Sequence, residues 1–139
     1  MASISFFSEK IPFKLSSPLK TSNWLKGICV REKYSLRVVN YIFCSDDYLR
    51  ELNKRYLNHT TYTDILSFDF SEDDLIQGEI YISIQRVREN ARKYKQPFEL
   101  ELKRVIVHGF LHLLGYKDKS STQKAQMRRK EEACLSLWK

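Results

Sequence analysis

The chain has 139 residues, of which 42 % are hydrophobic and 13 % aromatic, so it can bury a core and is not globally disordered. It carries 24 Lys and Arg against 17 Asp and Glu. The resulting net charge of +7 favours polyanions such as RNA, DNA or anionic lipid, but is as common in basic proteins without such partners. Three separated cysteines indicate a reduced compartment. The N-terminus does not resemble a signal peptide, and no apolar run is long enough to span a bilayer, so we expect a cytoplasmic protein.

Apolar patterns, interrupted by proline, glycine and capping residues, divide the chain into strands and helices. Runs of β-branched and aromatic residues predict the strands. Helix starts are predicted at Pro18 after Ser17, at Pro97, and at Ser120, which forms a capping-box pattern with Gln123. The predicted elements are a strand over 4–7, a helix through 24–29, a strand over 36–43, a helix through 49–56, strands over 65–70 and 79–84 separated by a turn over 71–78, and helices over 85–94, 98–114 and from 120 through 138.

This order of elements predicts an α+β fold in one domain, residues 1–139. A single mixed sheet of about four strands would be covered by helices. The helix over 98–114 contains the segment VIVHGFLHLL at 105–114. Its apolar side chains cover nearly the whole helix circumference, which is typical of a buried helix.

Two histidines interrupt this apolar segment. His108 and His112 are four residues apart, so their side chains lie on one face of the helix, one turn from each other. Burying two imidazoles without partners is costly. A metal ion removes that cost, because each ring can give one nitrogen to the ion and keep the other for a hydrogen bond. The pair therefore predicts a metal site.

A third ligand is expected just after this helix. Gly115 lets the chain reverse, and Asp118 follows it in the sequence. Three protein ligands with an open fourth position are typical of a catalytic zinc site, whereas four ligands close a structural one. The alternative interpretation is two core histidines bonded to the backbone, with Asp118 as a solvated turn residue.

The string His108-x3-His112-x2-Gly115-x2-Asp118 is similar to the HExxHxxGxxH pattern of metzincin peptidases, in which Asp sometimes replaces the last His. Peptidases of that kind use the Glu of the pattern as general base. Gly109 stands at that position here. We therefore expect a zincin-like arrangement with the metal-binding helix at its centre, but without the proteolytic base.

The segment 108–116, HGFLHLLGY, closely resembles the signature of the YbeY family of bacterial ribosomal-RNA maturation endoribonucleases, HGxLHLxGYDH. Shorter matches to the family follow the same order along the chain, from about residue 36 onward. They are Leu52–Asn53 with Tyr56, the segments 63–68, 78–80, 86–87 and 89–91, Met127, and the pair 131–132.

Two positions depart from the family pattern. Asp118 stands where the family usually has a third His, and a carboxylate tolerates manganese or magnesium better than an imidazole does. Leu57 stands where the family usually has an Arg. Arg55 and His59 are nearby substitutes for that Arg, or else ordinary surface residues.

The resemblance implies a zinc-dependent, single-strand-specific endoribonuclease with one ion per chain, for which Mn²⁺ or Mg²⁺ are alternatives. It implies action in 16S ribosomal RNA 3′-end maturation and ribosome quality control. The expected partners are single-stranded ribosomal RNA and the small subunit with its proteins. The nucleophile would be metal-bound water or a 2′-OH. The alternative functions are a non-catalytic ribosome assembly factor with a structural metal, and a metzincin-like metallopeptidase.

Other residues are assigned to the site with less support from the sequence. Glu101 lies on the same helical face as His108 and is either a helper in the reaction or, as the favoured interpretation, a solvent-facing Glu paired with a Lys. Basic residues along 86–95 would attract phosphates. The candidate RNA contacts are Arg86, Arg88, Arg92 and Lys93.

Overall fold

The computed structural model describes residues 2–57 and 63–139. Within these ranges, no helix combines the length and the apolar character that crossing a bilayer requires. The elements are β1 (Ser3–Glu9), α1 (Pro18–Arg31), β2 (Ser35–Cys44), α2 (Asp46–Leu57), β3 (Ile65–Asp69), β4 (Leu75–Ser83), α3 (Ile84–Lys93), α4 (Phe98–Leu113) and α5 (Ser121–Leu135).

The four strands form one sheet in the order β1-β2-β4-β3. β2 pairs in parallel with β1 and with β4, whereas β3 and β4 form an antiparallel pair. The connections that return to a parallel neighbour contain helices, as parallel pairing requires. The prediction of a single mixed sheet in an α+β fold is therefore confirmed.

Helix α4 lies against one face of this sheet. Gly109 is the point of closest approach, because a Cβ atom there would lie 2.7 Å from Ile65 Cδ1 and 2.9 Å from Ile80 Cγ2. The hydroxyl of Tyr41 on β2 donates to the backbone oxygen of Ile106 at 2.8 Å, inside the core. These contacts fix both the distance and the position of α4 along the sheet.

The opposite face of the sheet has a thinner cover. Helix α2 packs there through a small cluster around Cys44, Leu49 and Leu66. Phe7 on the edge strand β1 remains 53 % exposed, and Tyr56 in the last turn of α2 is 59 % exposed. The main core of the protein thus lies on the α4 side.

Three local predictions differ from the structure. β4 begins at Leu75 rather than at 79, because Ser35 and Leu36 of β2 extend the pairing to Leu75 and Ile76. The last helix ends at Leu135, and Trp138 follows it and packs edge-on against Trp24. Pro18 does open α1, but Ser17 has a φ of 54° and its side chain makes no capping bond.

Candidate metal centre

The predicted ligands come together at the C-terminal end of α4. Gly115 has a φ of +99°, a backbone conformation that glycine adopts without strain, and its N–H donates to the oxygen of His112 at 3.0 Å. The chain therefore turns back and places Asp118 beside the helix. One ligand atom from each of His108, His112 and Asp118 lies within 4.8 Å of the others.

The spacing of these atoms fits a single ion. The two Nε2 atoms of His108 and His112 are 3.0 Å apart, and Asp118 Oδ2 lies 3.2 Å and 3.5 Å from them respectively. A tetrahedral ion with bonds of about 2.1 Å holds its ligand atoms about 3.4 Å apart. Two imidazole nitrogens and one carboxylate oxygen form a donor set that suits zinc and also accepts manganese.

The outer nitrogens of the two rings support the same conclusion. His108 Nδ1 lies 2.5 Å from Glu131 Oε2, and the backbone of Tyr116 accepts a hydrogen bond from His112. In neutral rings, donation from the outer nitrogen leaves a lone pair on Nε2. Both Nε2 lone pairs are then directed at the position between them, where a cation is favourable.

The two histidines differ in their affinity for protons. Burial disfavours the charged form of His108, but the hydrogen bond and charge of Glu131, with Asp118 and Asp64, raise its pKa overall. Burial and the neighbouring His108 lower the pKa of His112. Only one ring of the pair readily takes a proton, so the second remains available as a ligand near neutral pH.

Glu131 is a residue of the candidate site that the sequence interpretation missed. It lies on α5, is 7 % exposed, and binds both His108 and, at 3.5 Å, the guanidinium of Arg104. A carboxylate that accepts from a ligating histidine fixes the ring and increases its basicity. The resemblance of residues 131–132 to the family did not indicate a role for either residue. Glu131 is also 23 residues from His108, so helical periodicity could not show that they are neighbours.

A cavity of about 270 Å³ opens beside the ligands. Glu101 lines it and is only 7 % exposed, so the expectation of a solvent-facing Glu101 is wrong. In the described part of the chain its carboxylate accepts no hydrogen bond, and burial raises its pKa. Burial also raises the pKa of Asp64, whose carboxyl is acted on by the charges of His108 and Asp118. The lining residues are Asp64, Glu101, Arg104, Val105, His108, Asp118 and Glu131.

The structure does not bring Arg55 into this cavity. Arg55 lines a separate hollow with Lys10 and Tyr48 on the α2 side. His59 lies outside the described residues. Arg55 is therefore not placed at the metal centre.

The predicted RNA contacts lie on α3. Arg86 is held in an ion pair with Asp46 at 2.7 Å, and the guanidinium of Arg88 lies 5.4 Å from the centre of the Phe98 ring. Arg92 and Lys93 are exposed in the last turn of the helix. None of the four lines the metal cavity, so their role remains a prediction.

Comparisons with known proteins show which family the chain belongs to. The family model described as Endoribonuclease YbeY matches residues 9–139. The Endoribonuclease YbeY of Flavobacterium psychrophilum is 51 % identical over 95 % of this chain and 94 % of its own, and that of Cytophaga hutchinsonii is 48 % identical over 98 % and 96 %. The solution structure of TM1509 from Thermotoga maritima superposes with a TM-score of 0.66 at 30 % identity, covering 98 % of this chain and 91 % of that one. The chain belongs to the YbeY endoribonuclease family.

Proposed function

We propose that this protein is a zinc-dependent endoribonuclease of the cytoplasm that cleaves single-stranded RNA. Its proposed task is 3′-end maturation of 16S ribosomal RNA and quality control of the small subunit, with that subunit and its proteins as partners. The observation that carries the proposal is the convergence of His108, His112 and Asp118 on one point at the edge of a polar cavity. The names of the relatives supply the reaction class.

The residues around the site divide the chemical work. A bound zinc, or Mn²⁺ or Mg²⁺ in its place, supplies a Lewis acid and activates water. Glu131 orients His108. Glu101 is a buried carboxyl and Asp64 a half-buried one, and burial raises the pKa of both, which suits them to accept a proton from an attacking hydroxyl. This role is the same whether water or a 2′-OH attacks.

Arg104 is our candidate for binding the phosphate. It lies one turn before His108 on α4 and lines the cavity. Its Nη1 contacts Glu131 at 3.5 Å and Glu132 at 2.8 Å, while in the described residues Nε and Nη2 have no protein partner. A guanidinium with uncommitted donors suits a phosphodiester. Leu57, where the family usually has Arg, is 46 % exposed at the end of α2.

The proposed preference for single-stranded RNA follows from the size of the cavity that the RNA must enter. A phosphodiester must bend into a cavity of about 270 Å³ to meet the ligands. An A-form duplex resists this bending, whereas a single strand adapts. The net charge of +7 should contribute binding that weakens steeply with salt.

The test compares cleavage of one ribosomal RNA fragment presented as a single strand and as a duplex. We expect the zinc-loaded protein to cut the single strand faster, and the variant His108→Ala/His112→Ala, purified in the same way, to cut neither. Equal cutting by wild type and variant would identify a contaminating nuclease. If the wild type cut neither the free RNA nor assembling small subunits, the proposal would fail in favour of a non-catalytic assembly factor.

A further inference from the structure

A hydrogen-bonded network between the end of α1 and helix α5 reaches the turn that carries Asp118. Glu32, directly after α1, accepts from the hydroxyl of Tyr116 at 2.6 Å and pairs with Lys130 Nζ at 2.6 Å. Burial opposes the charge of Glu32, but its bonds to Lys130 and Tyr116 lower its pKa overall. Glu32 is therefore a charged residue held between two other parts of the chain.

Tyr116 connects this network to two metal ligands. Its backbone accepts a hydrogen bond from the ring of His112, and it lies in the turn between Gly115 and Asp118. Within 115–119, all of which is described, the Tyr116 hydroxyl makes the one hydrogen bond from a side chain of this segment to a residue outside the ligand set, while the Lys119 N–H donates to the side chain of Gln123 at 3.1 Å. Gly115 has no side chain that could hold the turn, and Asp118 is 39 % exposed. The hydroxyl of Tyr116 thus ties the middle of the turn to Glu32, in addition to the bond from the Tyr116 N–H to the Leu111 oxygen at 3.1 Å.

Helix α5 contacts both parts of the site, because it binds Glu32 through Lys130 and His108 through Glu131. Lys130, which pairs with Glu32, is followed directly by Glu131, which binds His108. One short segment of α5 therefore restrains the metal centre from two directions. The sequence offers no local signal for this, because Glu32 lies far from the ligand motif along the chain.

We propose that Glu32 is a positioning residue of the metal centre. Through Tyr116 it fixes the hydrogen bond to His112 and the path of the backbone to Asp118. The proposal rests on the metal-binding part of the proposed function and is independent of RNA cleavage. Its measurable consequence is metal affinity.

The experiment measures zinc affinity by competition with a chelator, together with urea unfolding of the metal-free protein. Glu32→Ala should bind zinc about tenfold more weakly, the lower limit for loss of a group behind a ligand. The matched control is Trp24→Phe, which removes the Trp24 Nε1 bond to the Cys134 oxygen, at 2.8 Å, between the same two helices. Trp24→Phe should lower stability and leave zinc affinity unchanged.

A double-mutant cycle tests the route through the tyrosine. Tyr116→Phe should weaken zinc binding to a similar extent, and adding Glu32→Ala should then have little further effect. If Glu32→Ala does not fold, Glu32→Gln replaces it. This variant keeps an acceptor for Tyr116 and should give a smaller loss.

Three results would overturn the inference. They are an unchanged zinc affinity in a folded Glu32 variant, an equal loss in Trp24→Phe, and full additivity with Tyr116→Phe. Failure of the wild type to bind zinc would instead refute the metal site itself, so the two claims are separable.

Discussion

The metal centre has two sides that are built differently. On the support side, formed by Glu32, Tyr116, Lys130 and Glu131, each polar side chain has a close partner, with contacts of 2.5 to 2.6 Å. The cavity side is formed by Asp64, Glu101 and Arg104. There, in the described part of the chain, Glu101 accepts no hydrogen bond and Arg104 keeps donors uncommitted.

This difference indicates that the residues on the two sides of α4 have different roles. Buried polar groups are normally satisfied within the protein, so a group left without a partner beside a cavity is available to a ligand. We infer that the support side holds the metal and the cavity side meets the RNA. Variants on the support side should change metal affinity first, whereas variants on the cavity side should change cleavage at constant metal content.

The largest effect is expected from removal of a metal ligand, because metal binding and RNA cleavage should then be lost together. His112→Ala leaves two protein ligands, so bound zinc should fall from about one per chain to near zero and cleavage should be lost. Elemental analysis of dialysed protein checks this. Lys117→Ala, an exposed neighbour in the same turn, is the control and should keep its metal. An unchanged metal content in His112→Ala would refute the ligand assignment.

On the cavity side, Glu101→Gln should slow cleavage about 100-fold while zinc content stays unchanged, the typical loss for a general base. Burial raises the pKa of Glu101. The wild-type rate should therefore decline as pH falls through that raised pKa, and this limb of the profile should be absent in Glu101→Gln. Rate–pH profiles of the two proteins decide the question, and identical profiles would remove Glu101 from the reaction.

On the support side, Glu131→Gln should weaken zinc binding about 10- to 100-fold, because His108 loses the carboxylate that orients its ring. Glu132→Gln is the matched control on the same helix, since Glu132 is exposed and binds Arg104 instead. Chelator competition with both variants separates the two residues. Equal losses would mean that the charge of α5 matters rather than the contact with His108.

The smallest effect is expected from exchanging one ligand for another. Asp118→His should retain the metal and bind zinc at least as tightly, because imidazole suits zinc well. The same competition assay measures this. Loss of zinc in Asp118→His would show that position 118 cannot place a nitrogen where Asp118 Oδ2 lies.

The ligand set was accessible from sequence because its information is local. His108 and His112 are one helical turn apart, and Gly115 makes the turn to Asp118, so spacing alone brings them together. The absence of a proteolytic base was also evident from the local sequence, because Gly109 stands where metzincin peptidases have a Glu. The structure adds that this position faces Ile65 of the sheet, where a larger side chain would collide.

The supporting residues were not accessible because they depend on how separate helices pack. Glu131 meets His108 only when α5 lies beside α4, and Glu32 meets Tyr116 only when the end of α1 reaches the same turn. Glu101 was misplaced for a related reason. A polar residue on a mostly apolar helix was interpreted as a surface residue, whereas Glu101 is itself buried in the wall of the open cavity beside the ligands.

The most direct test of the account titrates metal-free protein with zinc while bound metal and the initial rate of single-stranded RNA cleavage are measured on the same samples. The rate should rise in proportion to bound zinc and level off at about one ion per chain, the capacity of one three-ligand site. A full rate in the metal-free protein, or a rate that rises only beyond one equivalent, would contradict a single zinc held by His108, His112 and Asp118 as the reactive centre.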